Sequence, residues 1–188
     1  MKIFFTSSLR GQSEYGKFYK EIFSMIEKMG AKNLDDEILK LSRNYYETIQ
    51  KQGRTAFVDL YKRKIKALQQ ADICIFEGSI PSLSIGYLIE KALDFNKPTI
   101  IFYYKDNTPE FISGIDEEKI ILKQYFDDTL PKAFESAMEE AKHLQDKRFN
   151  FFISPDLLTY LEKASREEEI TKSTFIRNLI LQHKKRHP

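Results

Sequence analysis

ADICIFEGSIPSLSIGYLIEKALDFNKPTIIFYY, residues 71–104, decides the fold. The apolar run at 73–76 ends in a turn of small residues, Gly78-Ser79-Ile80-Pro81-Ser82. A helical pattern follows, then Asn96-Lys97-Pro98 and a second apolar run over 99–104. Two apolar strands separated by one helix make a βαβ unit. The loop after the first strand suits a small anionic ligand, because it sits at the C-terminal end of a buried strand and opens a helix.

Outward from this unit the same alternation continues. Residues 2–6, KIFFT, read as a first strand and residues 7–12 as a loop. Residues 14–29 carry apolar side chains at a 3.6-residue period, including Tyr15, Phe18, Ile22 and Ile26, and Gly30 closes that helix. Residues 31–33 give a short second strand, and the charged stretch 35–51 is partly helical. Residues 56–70 predict a helix with Phe57, Leu60, Tyr61, Ile65 and Leu68 inward. Residues 119–125 predict a last strand and 130–145 a last helix of this body. Strands alternating with helices imply an α/β, doubly wound parallel sheet of Rossmann or flavodoxin type.

The chain has 188 residues and a net charge of +2, unevenly spread. Residues 147–188 hold nine Lys/Arg against five acids, a balance of +4, which leaves −2 on residues 1–146. A basic end on a slightly acidic body points to a polyanionic partner such as nucleic acid. Cys74 is the sole cysteine, so there is no disulfide framework, and it reads as a small core residue. No apolar run approaches the length of a membrane span, so no membrane partner and a cytoplasmic location are expected. His143, His183 and His187 lack ligand spacing; neither metal nor cofactor is expected.

Four blocks carry a family resemblance: IFFTSSLRG (residues 3–11), LQQAD (68–72), PSLSIGY (81–87) and FNKP (95–98). In that order they resemble the nucleoside 2-deoxyribosyltransferases, and especially their deoxynucleoside 5'-monophosphate N-glycosidase branch, over residues 2 to about 140. The resemblance implies a nucleotide-type ligand and two phosphate-binding loops. Ser8, Leu9, Arg10 and Gly11 form one, and Ser82, Leu83 and Ser84 the other. Loop amides and hydroxyls would hold the phosphate, with Arg10 adding a charged fork.

The chemistry departs from the family. There the glutamate of GYELG acts at the anomeric carbon, and the comparable stretch here is Gly86-Tyr87-Leu88-Ile89-Glu90. Leu88 supplies neither nucleophile nor charge. A family aspartate eight residues before Asp72 is Lys64 here, and a first-strand aromatic hydroxyl is Phe4. Glu90 lies about 200° around the helix from position 88, facing away. Glu77 remains as a weak catalytic candidate. Lys64 and Leu88 make the expected pocket more positive and more apolar, suited to holding an anion and a planar base intact. The alternative is an active N-glycosidase or deoxyribosyltransferase on deoxynucleoside monophosphates.

Residues 146–188 read as a second domain beside a first of 1–145. RFNFFIS (148–154) alternates as one strand, Pro155-Asp156 starts a helix, and Thr171 caps another over 172–185. One strand and two short helices need a partner, most simply a second copy. The pattern resembles a ribbon-helix-helix DNA-binding domain. That resemblance implies a homodimer or higher even-numbered homo-oligomer, with double-stranded DNA as partner. Arg148, Asn150 and Phe152 would face the bases, and Thr171, Lys172 and Ser173 the backbone. The leading expectation is therefore a ligand-responsive transcriptional regulator with an inactive nucleotide-binding body. In the alternative the tail serves only oligomerisation.

Overall fold

The apolar run at the centre of the sequence forms the middle strand of a five-stranded, all-parallel sheet. The computed structural model describes residues 1–40, 45–145 and 151–187, with Tyr46 described by its backbone alone. The strands are β1 (Lys2–Ser7), β2 (Lys32–Asn33), β3 (Ile73–Glu77), β4 (Thr99–Tyr104) and β5 (Ile120–Tyr125). They lie in the order β2-β1-β3-β4-β5, with Ile3 opposite Ile73 and Ile75 opposite Ile100. The helices of this unit are α1 (Gln12–Lys28), α2 (Glu37–Lys40), α3 (Tyr45–Gln52), α4 (Arg54–Gln70), α5 (Leu83–Asp94), α6 (Glu110–Ser113) and α7 (Leu130–His143).

Alternation along the strands divides the core in two. Ile3, Phe5, Ile73, Ile75, Ile100 and Phe102 pack with side chains of α1 and α7. Phe4, Cys74, Phe76 and Ile101 pack on the other face with Leu68 of α4 and with Ile85, Leu88, Ile89 and Ala92 of α5. Both faces are covered, which is why β3 reads as an unbroken apolar run. Cys74 is buried as expected, and burial pushes its thiol up to about 12.

The helix expected over 56–70 is present as α4, but its apolar stripe behaves differently from the expectation. Leu68 is its one fully buried side chain, while Phe57 and Tyr61 stay 39% and 49% exposed. The stripe faces an open cavity instead of the sheet. The connection between β4 and β5 carries the short α6.

Strand order places the cavity. From β1 the chain moves to β2 on one side, and from β3 to β4 on the other. The loops leaving β1 and β3 therefore diverge, and a crevice opens above their C-terminal ends. Gly11 closes the floor of the first loop by close approach: a Cβ there would stand 2.4 Å from the Tyr19 hydroxyl and 3.0 Å from Ile80.

Residues 147–188 form a second compact unit. It contains α8 (Pro155–Glu167) and α9 (Lys172–Arg186). Ser154 caps α8 by accepting from the Leu157 N–H, and Thr171 Oγ1 accepts from the Thr174 N–H at 3.1 Å. Each cap satisfies an amide that the first turn leaves open. Lys172 Nζ joins the helices through Glu162 at 2.8 Å. The expected strand is not formed over residues 151–154, which are neither helix nor strand. Such a strand pairs with a second copy, and one chain offers it no partner. Residues 148–150, with Arg148 and Asn150, lie outside the described residues. Phe152, Leu179 and Ile180 are exposed in the single chain. Among the described residues, no helix is long and apolar enough to cross a membrane.

Candidate functional site

The crevice holds a cavity of about 510 Å³. Its floor is Thr6 and Ser7 at the end of β1 and Leu9 just beyond. One wall is α5, through Leu83, Ser84, Ile85, Tyr87 and Leu88; the opposite wall is α4, through Phe57, Leu60, Tyr61 and Lys64. Glu37, Ile38 and Tyr45, from α2 and α3, close the end. The Tyr61 and Tyr87 hydroxyls meet at 3.1 Å, with ring centroids 6.2 Å apart, across the α4–α5 gap. The walls are mostly apolar and aromatic, with few polar groups, which is the character of a small-molecule site.

Lys64 lies in the cavity wall as expected, yet it does not make the site positive. Its ammonium pairs with the Asp35 carboxylate and lies 3.1 Å from Glu37 Oε2. Arg63 Nη2 donates to Glu37 Oε1 at 3.1 Å. Two cations and two acids therefore cancel locally, so Lys64 does not add the positive charge expected of it. Asp35 also accepts from the Glu37 N–H at 3.1 Å, fixing the first turn of α2. Burial raises the Asp35 carboxyl, and the Lys64 ammonium beside it acts in the opposite direction.

Leu88 lines the same cavity from α5 and is buried, as the sequence register required. Glu90, two positions on, is exposed on the outer face. Glu77 sits below the site. It is 1% exposed and lines neither of the two cavities described here. Its carboxylate accepts from the Ser79 hydroxyl, from Tyr125 Oη at 3.0 Å and from Ser7 Oγ at 3.3 Å. Ser79 Oγ in turn accepts from the Tyr104 N–H at 2.8 Å. This network ties the end of β3 to β1, β4 and β5. Burial pushes the Glu77 carboxyl up, opposed by these hydrogen bonds, and burial followed by the Glu77 charge raises the Tyr125 phenol.

The two expected phosphate loops do come together. Arg10 Nη2 donates to the Pro81 carbonyl, so the guanidinium joins loop to loop. Ser8 is buried, and its carbonyl accepts from Gly11 N–H at 3.0 Å and from Tyr19 Oη at 3.3 Å. Ser82 stands at the N-cap of α5 without a side-chain cap bond, and the exposed Leu83 and Ser84 open the first turn. A second cavity of about 550 Å³ lies on the other side of this turn, between Ser82 and the loop at Asn107 and Thr108.

The sequence reading missed Asp35 and Glu37 as site residues. Both follow the two-residue β2, at the C-terminal end of a parallel strand, which is where ligands gather in such sheets. That placement was the available signal, and the shortness of β2 hid it.

An all-parallel sheet of this order, with an apolar cavity at its switch point, defines an α/β domain of Rossmann-like architecture. Its similarities run to the deoxyribosyltransferase-like proteins. A Syntrophotalea carbinolica protein, provisionally named 2'-deoxynucleoside 5'-phosphate N-hydrolase 1, is 29% identical over 104 residues, 55% of this chain and 69% of the relative. A Methanosarcina barkeri protein of the same name is 30% identical over 105 residues, 56% of this chain and 63% of the relative. Among solved structures, the Clostridium botulinum CMP N-glycosidase BcmB superposes with a TM-score of 0.49 and 13% identity, covering 72% of this chain and 97% of that one. No family model matches the chain.

Proposed function

We propose that the α/β unit binds a 2'-deoxynucleoside 5'-monophosphate in the cavity between α4 and α5 and hydrolyses its N-glycosidic bond. The observation that carries this reading is the cavity itself: aromatic walls for a planar base, open α5 amides for a phosphate, and a position above β1 and β3. The names of the relatives supply the reaction class. Incubating the protein with each of the four deoxynucleoside monophosphates, with calorimetric binding alongside, tests it. Free base on chromatography is expected with at least one. Binding without base release overturns the hydrolysis, and neither signal overturns the site.

A second reading keeps the nucleotide intact and makes the body a sensor. Leu88 in the cavity wall favours it, since α5 then presents no carboxylate to the sugar. The tail fits either reading. We propose that residues 146–188 pair with a second copy as a ribbon-helix-helix module and bind duplex DNA, which under the second reading makes the protein a transcriptional regulator. Capped α8 and α9, exposed Phe152, Leu179 and Ile180, and the basic last turn of α9 support this. At low salt the full chain is expected to retard a DNA duplex and to run as an even-numbered oligomer. Retardation should weaken steeply as salt rises. An oligomer that fails to shift DNA at any salt would leave the tail an oligomerisation module.

A further inference from the structure

We propose that Glu37 is the carboxylate that faces the sugar's anomeric carbon, supplied from α2 instead of from α5. The inference rests on the hydrolysis reading above. Breaking the bond between C1' and the base leaves positive charge on the sugar, and a carboxylate beside it lowers that barrier. Leu88 cannot provide it. Glu77 is enclosed by its own donors beneath the sheet end, and Glu90 is on the outer face. Among the described residues lining the cavity, Glu37 is the one acid.

The bonding of Glu37 matches that role. Oε1 is occupied by Arg63. Oε2 is buried and, among the described residues, has no hydrogen-bond partner, while the Glu37 side chain as a whole stays 24% exposed. Its 3.1 Å approach to Lys64 Nζ is an ion pair without hydrogen-bond alignment. A buried carboxylate oxygen with unused acceptor capacity is costly, and such groups in native structures call for an explanation. A ligand carrying developing positive charge is one that the cavity can accommodate. Lys64 is the positioning residue. By holding Asp35 and Glu37 together it fixes α2 against α4, so the ammonium at this position brings a carboxylate in from another element.

The step balances with water alone. The C1'–N bond breaks, its electron pair leaves with the base, and the cation forms opposite Glu37. Water adds hydroxyl to C1', and its proton ends on the base. The products are free base and deoxyribose 5-phosphate.

The test compares wild type with Glu37→Gln as full chains, with melting curves to confirm folding. The variant is expected to lose about a hundredfold in kcat or more, as for other groups that stabilise transition-state charge, while its nucleotide Kd moves less than about threefold. Adding Leu88→Glu to Glu37→Gln should return part of that loss by restoring a carboxylate from α5. If Glu37→Gln fails to fold, Glu37→Asp keeps the charge but withdraws it by one methylene, and about a tenfold kcat loss is expected. Wild-type turnover in either folded variant overturns the proposal while leaving the hydrolysis reading intact. A wild-type protein that binds nucleotide and releases no base overturns both.

Discussion

Glu77→Leu is expected to destabilise the α/β unit by about 3 kcal/mol. The leucine fills space but leaves the Ser79 and Tyr125 hydroxyls facing a hydrocarbon in the interior, while Ser7 Oγ keeps the Glu77 backbone carbonyl as acceptor at 3.0 Å. A buried donor left unpaired costs about 1–3 kcal/mol, and two that shared one acceptor relax together, so the full sum is not reached. Urea unfolding followed by circular dichroism would show the midpoint fall with the slope unchanged. Glu77→Gln separates shape from charge. Burial raises the folded-state pKa of Glu77 above the ordinary glutamate value of about 4.3. In the interval above that value the folded chain still holds a proton that the unfolded chain has released. The stability contributed by this protonation is therefore complete below the unfolded value and is lost as pH rises through the folded one. Relative to wild type, Glu77→Gln should gain stability as the pH goes from about 4 to about 7. A difference that stays flat over that range would mean that the carboxyl titrates normally, and would sink this account.

Lys64→Met is expected to cost about 3 kcal/mol, because it leaves Asp35 charged and enclosed. The Asp35 side chain is only 5% exposed, and Lys64 itself 17%. Removing the ammonium takes away the main opposition to burial at Asp35 and leaves the Glu37 N–H, so its carboxyl rises further above the usual range. By the same sign as for Glu77, the deficit should shrink as the pH falls toward the ordinary aspartate value. Asp35→Asn combined with Lys64→Met should recover most of the loss, giving a coupling of more than about 1 kcal/mol in a double-mutant cycle. Additive losses would show that the two side chains do not depend on each other.

The parts of the fold visible in the sequence are those with a strong local period. The β3–α5–β4 segment is legible because one buried strand, a helix and another strand each have their own pattern and a turn between them. Leu88 could be placed in the cavity because position along α5 dictates direction. Glu37 could not, because it follows a two-residue strand and its direction depends on Lys64, 27 positions later. Lys64 lies in the cavity wall, but its electrostatic effect is not legible in the string, since a lone residue there shows no partner. The stripe on α4 reads as core in the sequence because the same apolar period serves a sheet contact or an open cleft. Glu77 was found at the right strand end, and only the surrounding hydroxyls reveal its enclosure.

The partial anchoring of α4 bears on how the protein responds to whatever fills the cleft. Leu68, near the C-terminal end, is its one fully buried side chain, and the rings of Phe57 and Tyr61 line open space. A flat heterocycle seated there would complete a hydrophobic layer that the polypeptide leaves unfinished. Occupancy and order along this helix are then thermodynamically linked, with free energy rising as RT ln(1 + [L]/Kd). Amide exchange would grade along the helix when the cleft is empty, slowest near Leu68 and fastest toward Arg54, and occupancy would level it. The ligand, in this sense, is the last residue of the core.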